Sequence, residues 1–128
     1  MKEIAIQLRA MQLYAHAAHN DVHGVAFFGD HEFLGELYSE YETQYDATVE
    51  RMIGRNMVID HNEIERGANS IFLKTNGMAF SDLVMMETEL RRLIESVYPT
   101  QTIGTQDLLA TFADSSEQRT YKLGQRVR

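Results

Sequence analysis

Four side chains of types that bind metal ions occur in the first half of the chain, and their spacing restricts the chemistry available to them. Asp46 and Glu50 are four residues apart, so on a helix both carboxylates lie on one face, one turn from each other, where they can hold a divalent ion. His19 and His31 lie on either side of Gly24, and a tight turn at this glycine would fold two helices antiparallel and bring both histidines to one end. From spacing alone, such acids are more often part of a solvated helix face, and such histidines more often occupy ordinary polar positions.

The histidines and the acids cannot bind one ion within a single chain. His31 and Asp46 are 15 residues apart, which is about 22 Å along a helix, whereas metal–ligand bonds are about 2 Å long. The two residues nevertheless lie on nearly the same helix face, about 60° apart. A second copy, packed antiparallel through a two-fold axis, would bring its acids to the histidines of the first copy and create two equivalent sites. A metal site made of these residues must therefore lie between subunits.

Composition limits the classes of protein that the chain could represent. Its 128 residues predict a single domain over residues 1–128. The absence of cysteine excludes disulfides, thiolate zinc sites and cysteine nucleophiles, and agrees with a cytoplasmic location. No apolar run approaches the roughly 18 residues of a membrane helix, so we expect no membrane partner. The net charge is −7, and the first 50 residues hold nine acids against Lys2 and Arg9, which favours cations and disfavours nucleic acid as partners.

Apolar residues at helical spacing predict four long helices. The first spans roughly residues 3–22 and the second roughly 27–54. Gly35 lies inside the second helix, where it costs about 1 kcal/mol relative to alanine, so we expect another group to approach closely there. The third helix is predicted to begin with Ser81 as its N-cap, and the fourth around Thr105, with Tyr121 and neighbouring apolar residues on its apolar side.

The connection between the second and third long helices is the least regular part of the sequence. Residues 55–67 are polar and predict a segment that is irregular at first, followed by a short helix over residues 69–77 that Asn69 or Ser70 would cap and Gly77 would end. The sequence therefore predicts an all-α protein: a four-helix bundle with one long crossover carrying a short extra helix. This is the ferritin-like connectivity.

The stretch AHNDVHGVAFFGDHEFLGELY, which begins at Ala18, resembles the signature of the Dps miniferritins, the DNA-protecting proteins of starved cells in the ferritin-like superfamily. That signature reads roughly H-W-N-V-x-G-x-x-F-F-x-x-H-E-x-F-[DE], with an aspartate and a glutamate downstream in a D-x-x-x-E arrangement. The stretch GTQDLLATFADSSEQRTYKL is similar to the last helix of that family, with Tyr121 where tryptophan is usual. The matching positions of the signature and the acid pair are His19, Val22, Gly24, Phe27, Phe28, His31, Glu32, Asp46 and Glu50.

The resemblance implies a cage-like dodecamer of four-helix subunits with ferroxidase sites at two-fold interfaces. His19 and His31 would be metal ligands from one subunit, and Asp46 and Glu50 would be ligands from its partner, so these four are the expected catalytic and metal-binding residues. Iron is the implied cofactor and cargo. Fe(II) would be oxidised by peroxide or dioxygen and stored as ferric mineral inside the cage, which protects against oxidative damage.

Several positions depart from the family pattern. Asn20 replaces the tryptophan that follows the first histidine, and the chain has no tryptophan. Gly35 stands where the family has an acid. Without this acid, a second iron ion in the site lacks a ligand unless Glu36 supplies one from another angle. The family's lysine-rich DNA-binding tail is absent from this sequence, so we expect weak DNA binding. The alternative functions are a DNA-coating shell with weak iron chemistry and a purely structural shell. Cations near the C-terminus are expected to complement a helix dipole: Arg119, Lys122, Arg126 and Arg128.

A second histidine pattern offers a competing metal site, although we expect His23 to lie exposed in the turn after the first helix. His16, His19 and His23 have i, i+3, i+7 spacing, which on a continuous helix would form one stripe and a possible zinc site. The tyrosines of the second helix are expected to be packing residues rather than redox partners. These are Tyr38, Tyr41 and Tyr45.

Overall fold

The computed structural model describes residues 1–127, and these residues form five α-helices, one short 3-10 helix and no β-strand. The predicted all-α class is therefore confirmed, and none of the described helices is long and apolar enough to cross a membrane. Arg128 lies outside the described residues. The helices are α1 Lys2–Asp21, α2 Phe27–Gly54, α3 His61–Leu73, α4 Ala79–Val97 and α5 Ile103–Val127, with the 3-10 helix Tyr98–Thr100 before α5.

Side-chain contacts give the directions of the first two helices and the last. α1 lies against α2, α3 and α4, and α4 lies against α5. His19 near the end of α1 contacts the backbone of His31 near the start of α2, so these helices run antiparallel. Gly24 adopts φ +93° in the turn between them, a conformation that L side chains rarely adopt. Arg126 at the end of α5 donates to Asp30 at the start of α2, so α5 is also antiparallel to α2.

α2 and α4 run in the same direction. Phe33 stacks with Phe80 near the starts of the two helices, with 6.3 Å between ring centroids. Farther along both helices, the hydroxyl of Tyr41 donates to the carboxylate of Glu87. Two parallel helices require a connection that runs back along their length, and α3 lies within the connection from α2 to α4, packed on α1. The connection between the second and third long helices is therefore long and contains one helix, α3.

The interior is formed by apolar residues that recur every three or four positions on the four long helices. A second, smaller cluster of Ala5, Val49 and Ile64 joins α1, α2 and α3. Burial of these stripes, rather than helix propensity alone, holds the helices together. The largest apolar side chains buried in the main cluster are Ile4, Leu8, Met11, Leu34, Leu37, Tyr41, Leu83, Leu90, Leu109 and Leu123.

The crossover helix differs from the prediction. Residues 55–60 form no helix, as expected for the first part of this segment, but α3 already begins at His61, and the predicted helix over residues 69–77 is wrong in both boundaries. Asp60 caps α3 by accepting the backbone N–H of Glu63 at 3.1 Å. Aspartate followed three residues later by glutamate resembles a capping box, and this signal was missed. Gly67 lies so close to α1 that a Cβ there would be 2.9 Å from Ile6 Cγ2.

The start of α4 also differs from the prediction. Ser81 is not an N-cap, because the helix begins two residues earlier, at Ala79. Asp82, which is buried, accepts the backbone N–H groups of Asn76 and Met78 at 3.1 Å and the hydroxyl of Tyr14. A carboxylate inside the first turn therefore stabilises the helix start and ties it to α1.

Candidate functional site

The two predicted histidines lie together at the junction of α1 and α2. His19 Nδ1 is 2.6 Å from the carbonyl oxygen of His31, and His31 Nδ1 is 2.8 Å from the carbonyl oxygen of His19. The two rings are stacked, with 3.7 Å between centroids and 22° between planes. This reciprocal pairing follows from the antiparallel turn at Gly24, which places each ring beside the other helix's backbone. The predicted approach of the histidines is thus present within one chain.

The hydrogen bonds of the histidine pair define which nitrogen can bind a ligand. A backbone carbonyl only accepts, so Nδ1 of both His19 and His31 must carry the proton. In a neutral imidazole the other nitrogen, Nε2, then has a free lone pair. Metal-binding histidines commonly have this arrangement, in which one ring nitrogen donates to a carbonyl and the other binds the metal. Both histidines are only partly buried, so each keeps some exposed surface.

Gly35 has a structural role in the histidine pair. A Cβ at position 35 would lie 3.1 Å from Cε1 and 3.2 Å from Nδ1 of His19. The close approach expected at this glycine is therefore present, and the approaching group is the imidazole of His19. A carboxylate at this position, as in the family pattern, would require the ring to move. The position of the His19 ring therefore depends on the absence of a side chain at position 35.

Aromatic rings surround the histidine pair on both sides. Phe27 stacks on His31 with 5.0 Å between centroids, and Tyr38 meets the ring of His19 edge-on at 5.3 Å. His16 stacks on Tyr38 at 4.2 Å. His23 is exposed and lies beyond the end of α1, as expected, so His16, His19 and His23 do not share a helix face.

The acid pair lies toward the other end of α2, as the helix length requires. Asp46 and Glu50 are both exposed, on a helix that is continuous from Phe27 to Gly54. Within residues 1–127 of one chain, no three His, Cys, Asp or Glu side chains are close enough together to hold a metal ion. The described chain therefore contains two separate halves of the predicted ligand set. Only a second copy could bring them together.

A buried polar cluster in the interior was not foreseen from the sequence. Glu87 is fully buried and accepts hydrogen bonds from Tyr41 at 2.6 Å, from Ser116 at 2.7 Å and from Arg119 Nε at 2.6 Å. Burial opposes the charge of Arg119, but the hydrogen bonds with Glu87 outweigh it and raise the pKa of the guanidinium. Burial also raises the pKa of Tyr41 well above its usual value. With all its oxygens satisfied by protein donors, Glu87 is a structural ion-pair partner rather than a metal ligand.

The expectation for the C-terminal cations is wrong for Arg119, and it gives only part of the role of Arg126, which lies in the last turn of α5. Arg119 is only 3% exposed and points into the interior, where it also lies over the Tyr41 ring. Arg126 forms two hydrogen bonds with Asp30, at 2.9 and 2.8 Å, directly before His31. These cations therefore bind specific carboxylates on other helices instead of only complementing the dipole of α5. No periodicity in the sequence distinguished them from solvated arginines.

Comparisons with known proteins identify no relative of this chain: no family model, no curated protein and no solved structure matches it.

Proposed function

We propose that this chain is the subunit of a Dps-like miniferritin, a four-helix bundle that oxidises Fe(II) at sites between two subunits and stores the ferric product. The observation that supports this proposal most strongly is the His19–His31 pair, in which both Nδ1 atoms donate to carbonyls and both Nε2 atoms are left with free lone pairs. Borderline ions such as Fe(II) bind imidazole and carboxylate together.

The exposed face of α2 supports an antiparallel pairing of two copies. Phe28 and Ile53 are 84% and 53% exposed, and on a helix they lie within about 20° of Asp46. In an antiparallel pair of identical helices, the residue numbers of any two residues that face each other add up to the same value. Phe28 with Ile53 and His31 with Glu50 both have the sum 81. One two-fold axis would therefore cover both exposed apolar residues and bring the histidine of each copy to the carboxylate of the other.

In this arrangement Fe(II) is the substrate. His19 and His31 of one copy would supply neutral nitrogen ligands, and Asp46 and Glu50 of the other would supply negative charge that favours Fe(III) over Fe(II). Peroxide takes one electron from each of two Fe(II) ions and, with two protons, is reduced to two water molecules, which avoids release of hydroxyl radicals. Gly35 leaves this set without the further acid of the family pattern. Assembly as a closed dodecamer is an expectation from the resemblance. Sedimentation or light scattering tests it by measuring the mass of the assembly.

The first experiment follows ferroxidation. Fe(II) is added anaerobically to the purified protein, peroxide or air is injected, and the near-ultraviolet absorbance of ferric species is recorded. We expect rapid oxidation and dissolved mineral in the wild type and loss of both in Asp46→Ala/Glu50→Ala. The matched control is Asp107→Ala/Asp114→Ala, which removes two exposed acids from α5. If the acid-pair variant oxidises iron as the wild type does, the proposal is wrong.

A mixing experiment tests whether the site is shared between chains. His19→Ala/His31→Ala and Asp46→Ala/Glu50→Ala are each expected to be inactive. Refolded together in equal amounts, half of the two-fold pairs would be mixed, and each mixed pair would contain one complete site. About a quarter of the wild-type activity should therefore return. No recovery in a mixture that has demonstrably exchanged subunits would exclude an intersubunit site.

A further inference from the structure

A cavity of about 270 Å³ lies at the end of α2 that is remote from the histidines, between α2 and the start of α5. Arg51 and Arg55 line it from α2, and Thr105 lines it from α5. The same two arginines line a neighbouring groove, where Glu50 is also present. This cavity contains none of the four residues of the proposed iron site.

Two threonines hold the arginines against α5. Arg51 Nη1 donates to Thr105 Oγ1 at 3.1 Å, and Arg55 Nη1 donates to Thr102 Oγ1 at 3.2 Å. Thr102 in turn donates to Thr105 at 3.2 Å. Thr105 is 1% exposed and accepts from both Arg51 and Thr102, so its own hydroxyl proton is not assigned to any acceptor in the described part of the chain. Each guanidinium has five N–H donors, and these contacts use one on each side chain.

The charge of the two arginines is not neutralised by the protein. Among residues 1–127, neither Arg51 nor Arg55 forms an ion pair, whereas Arg9, Arg92 and Arg126 each bind a carboxylate. Like charges at i, i+4 on one helix repel each other. The first turn of α5 beside them adds the positive end of a helix dipole. In a protein with net charge −7, this cavity is a local concentration of positive charge and free hydrogen-bond donors.

We propose that this cavity binds a small tetrahedral oxyanion, with inorganic phosphate as the ligand. Two guanidinium groups can donate in pairs to the oxygens of one phosphate, which is the geometry that arginine matches best. The cavity is large enough for one small ion, and none of the residues that line it is aromatic, so no ring is available there to stack on a nucleotide base. The acidic remainder of the protein disfavours an extended polyanion such as DNA.

The test uses the intact chain without iron, so its result does not depend on the proposed ferroxidase function. Thermal unfolding is measured with increasing phosphate, with sodium chloride at the same ionic strength as reference, and binding is measured by titration calorimetry. The variant is Arg51→Gln/Arg55→Gln, and the matched control is Arg66→Gln/Arg92→Gln, which removes two exposed charges elsewhere. Circular dichroism checks that each variant is folded. Arg55→Gln alone, at an exposed position, is the milder variant if the double substitution does not fold.

We expect phosphate to raise the unfolding midpoint beyond the effect of chloride, because a ligand that binds only the folded state stabilises it. Phosphate affinity should fall by at least about tenfold in the Arg51/Arg55 variant and stay unchanged in the control. Equal effects of phosphate and chloride on the wild type, or equal phosphate affinity in variant and wild type, would overturn the proposal. A short DNA duplex is titrated in parallel. Duplex binding that requires these arginines, with no effect of free phosphate, would also overturn it.

Discussion

Removing the charge of Arg119 should destabilise the fold far more than removing the charge of a surface arginine. Arg119→Met keeps most of the side-chain volume but leaves the carboxylate of Glu87 in the interior without its cation. Glu87 is 0% exposed, and Arg119 supplies two of its hydrogen bonds, from Nε at 2.6 Å and from Nη2 at 3.1 Å. Only the hydroxyls of Tyr41 and Ser116 would still donate to it.

The expected size of this effect follows from the burial of both partners. Breaking a buried ion pair by removing one member costs about 3–5 kcal/mol, because an uncompensated charge stays in the interior. The double variant Glu87→Gln/Arg119→Met removes both charges and should cost less than the sum of the two single variants, with a coupling energy of about 2 kcal/mol. Arg92→Met is the matched control, since Arg92 pairs with Glu89 on the surface and should contribute no measurable stability.

Urea unfolding followed by circular dichroism, at one fixed protein concentration for all variants, measures these differences. The midpoint should fall strongly for Arg119→Met, partly recover in the double variant and stay unchanged for Arg92→Met. If Arg119→Met costs less than about 1 kcal/mol, or if the two single effects simply add, the interpretation of Glu87 as a charge compensated by Arg119 is wrong.

Three further predictions concern the tyrosines, the start of α4 and the histidine pair. Burial, together with the hydrogen bond to Asp82, raises the pKa of Tyr14, and burial raises that of Tyr41. The folded state therefore holds protons that the unfolded state releases above about pH 10, so the free energy of unfolding should fall as the pH rises beyond that value. Near-ultraviolet titration should detect fewer tyrosinates in the folded than in the urea-unfolded protein. Equal numbers would contradict this prediction. Asp82→Ala leaves buried donors at the start of α4 unsatisfied and should cost about 2 kcal/mol in urea unfolding; an unchanged midpoint would show that the carboxylate does not cap the helix. Gly35→Ala should displace the His19 ring and slow iron oxidation in the ferroxidation assay while circular dichroism stays helical, and wild-type rates would show that the ring position is unimportant.

The geometry of the candidate site was partly predictable. The helical period and Gly24 predict that His19 and His31 meet at one end of a hairpin, and the rise per residue predicts that Asp46 lies too far away to join them. Gly35 within a helix indicated a close approach, and the structure identifies His19 as the group that approaches. The reciprocal Nδ1 hydrogen bonds were not predictable, because they depend on how two backbones align across the turn.

The errors in the crossover and at α4 have different causes. α3 has a clear apolar period in Ile64, Ala68 and Ile71, and its start at His61 is marked by a local cap, Asp60, which the prediction missed. Ser81 is a good N-cap residue by type, but Asp82 caps the helix start by accepting N–H groups from the residues before it and by contacting α1. Local propensities were outweighed here by a contact between residues distant in sequence.

The sequence by itself determined the all-helical class, the extents of the two helices that carry the histidines and acids, and the separation of these ligands within one chain. These properties follow from periodicity, glycine positions and fixed helix geometry, which are local. The tertiary structure alone decided that Arg119 is buried against Glu87, that Arg126 binds Asp30, and that Arg51 and Arg55 converge on α5 with no carboxylate partner among residues 1–127. A charged residue in an amphipathic helix has the same sequence signature whether it faces water or another helix, and only packing assigns its partner.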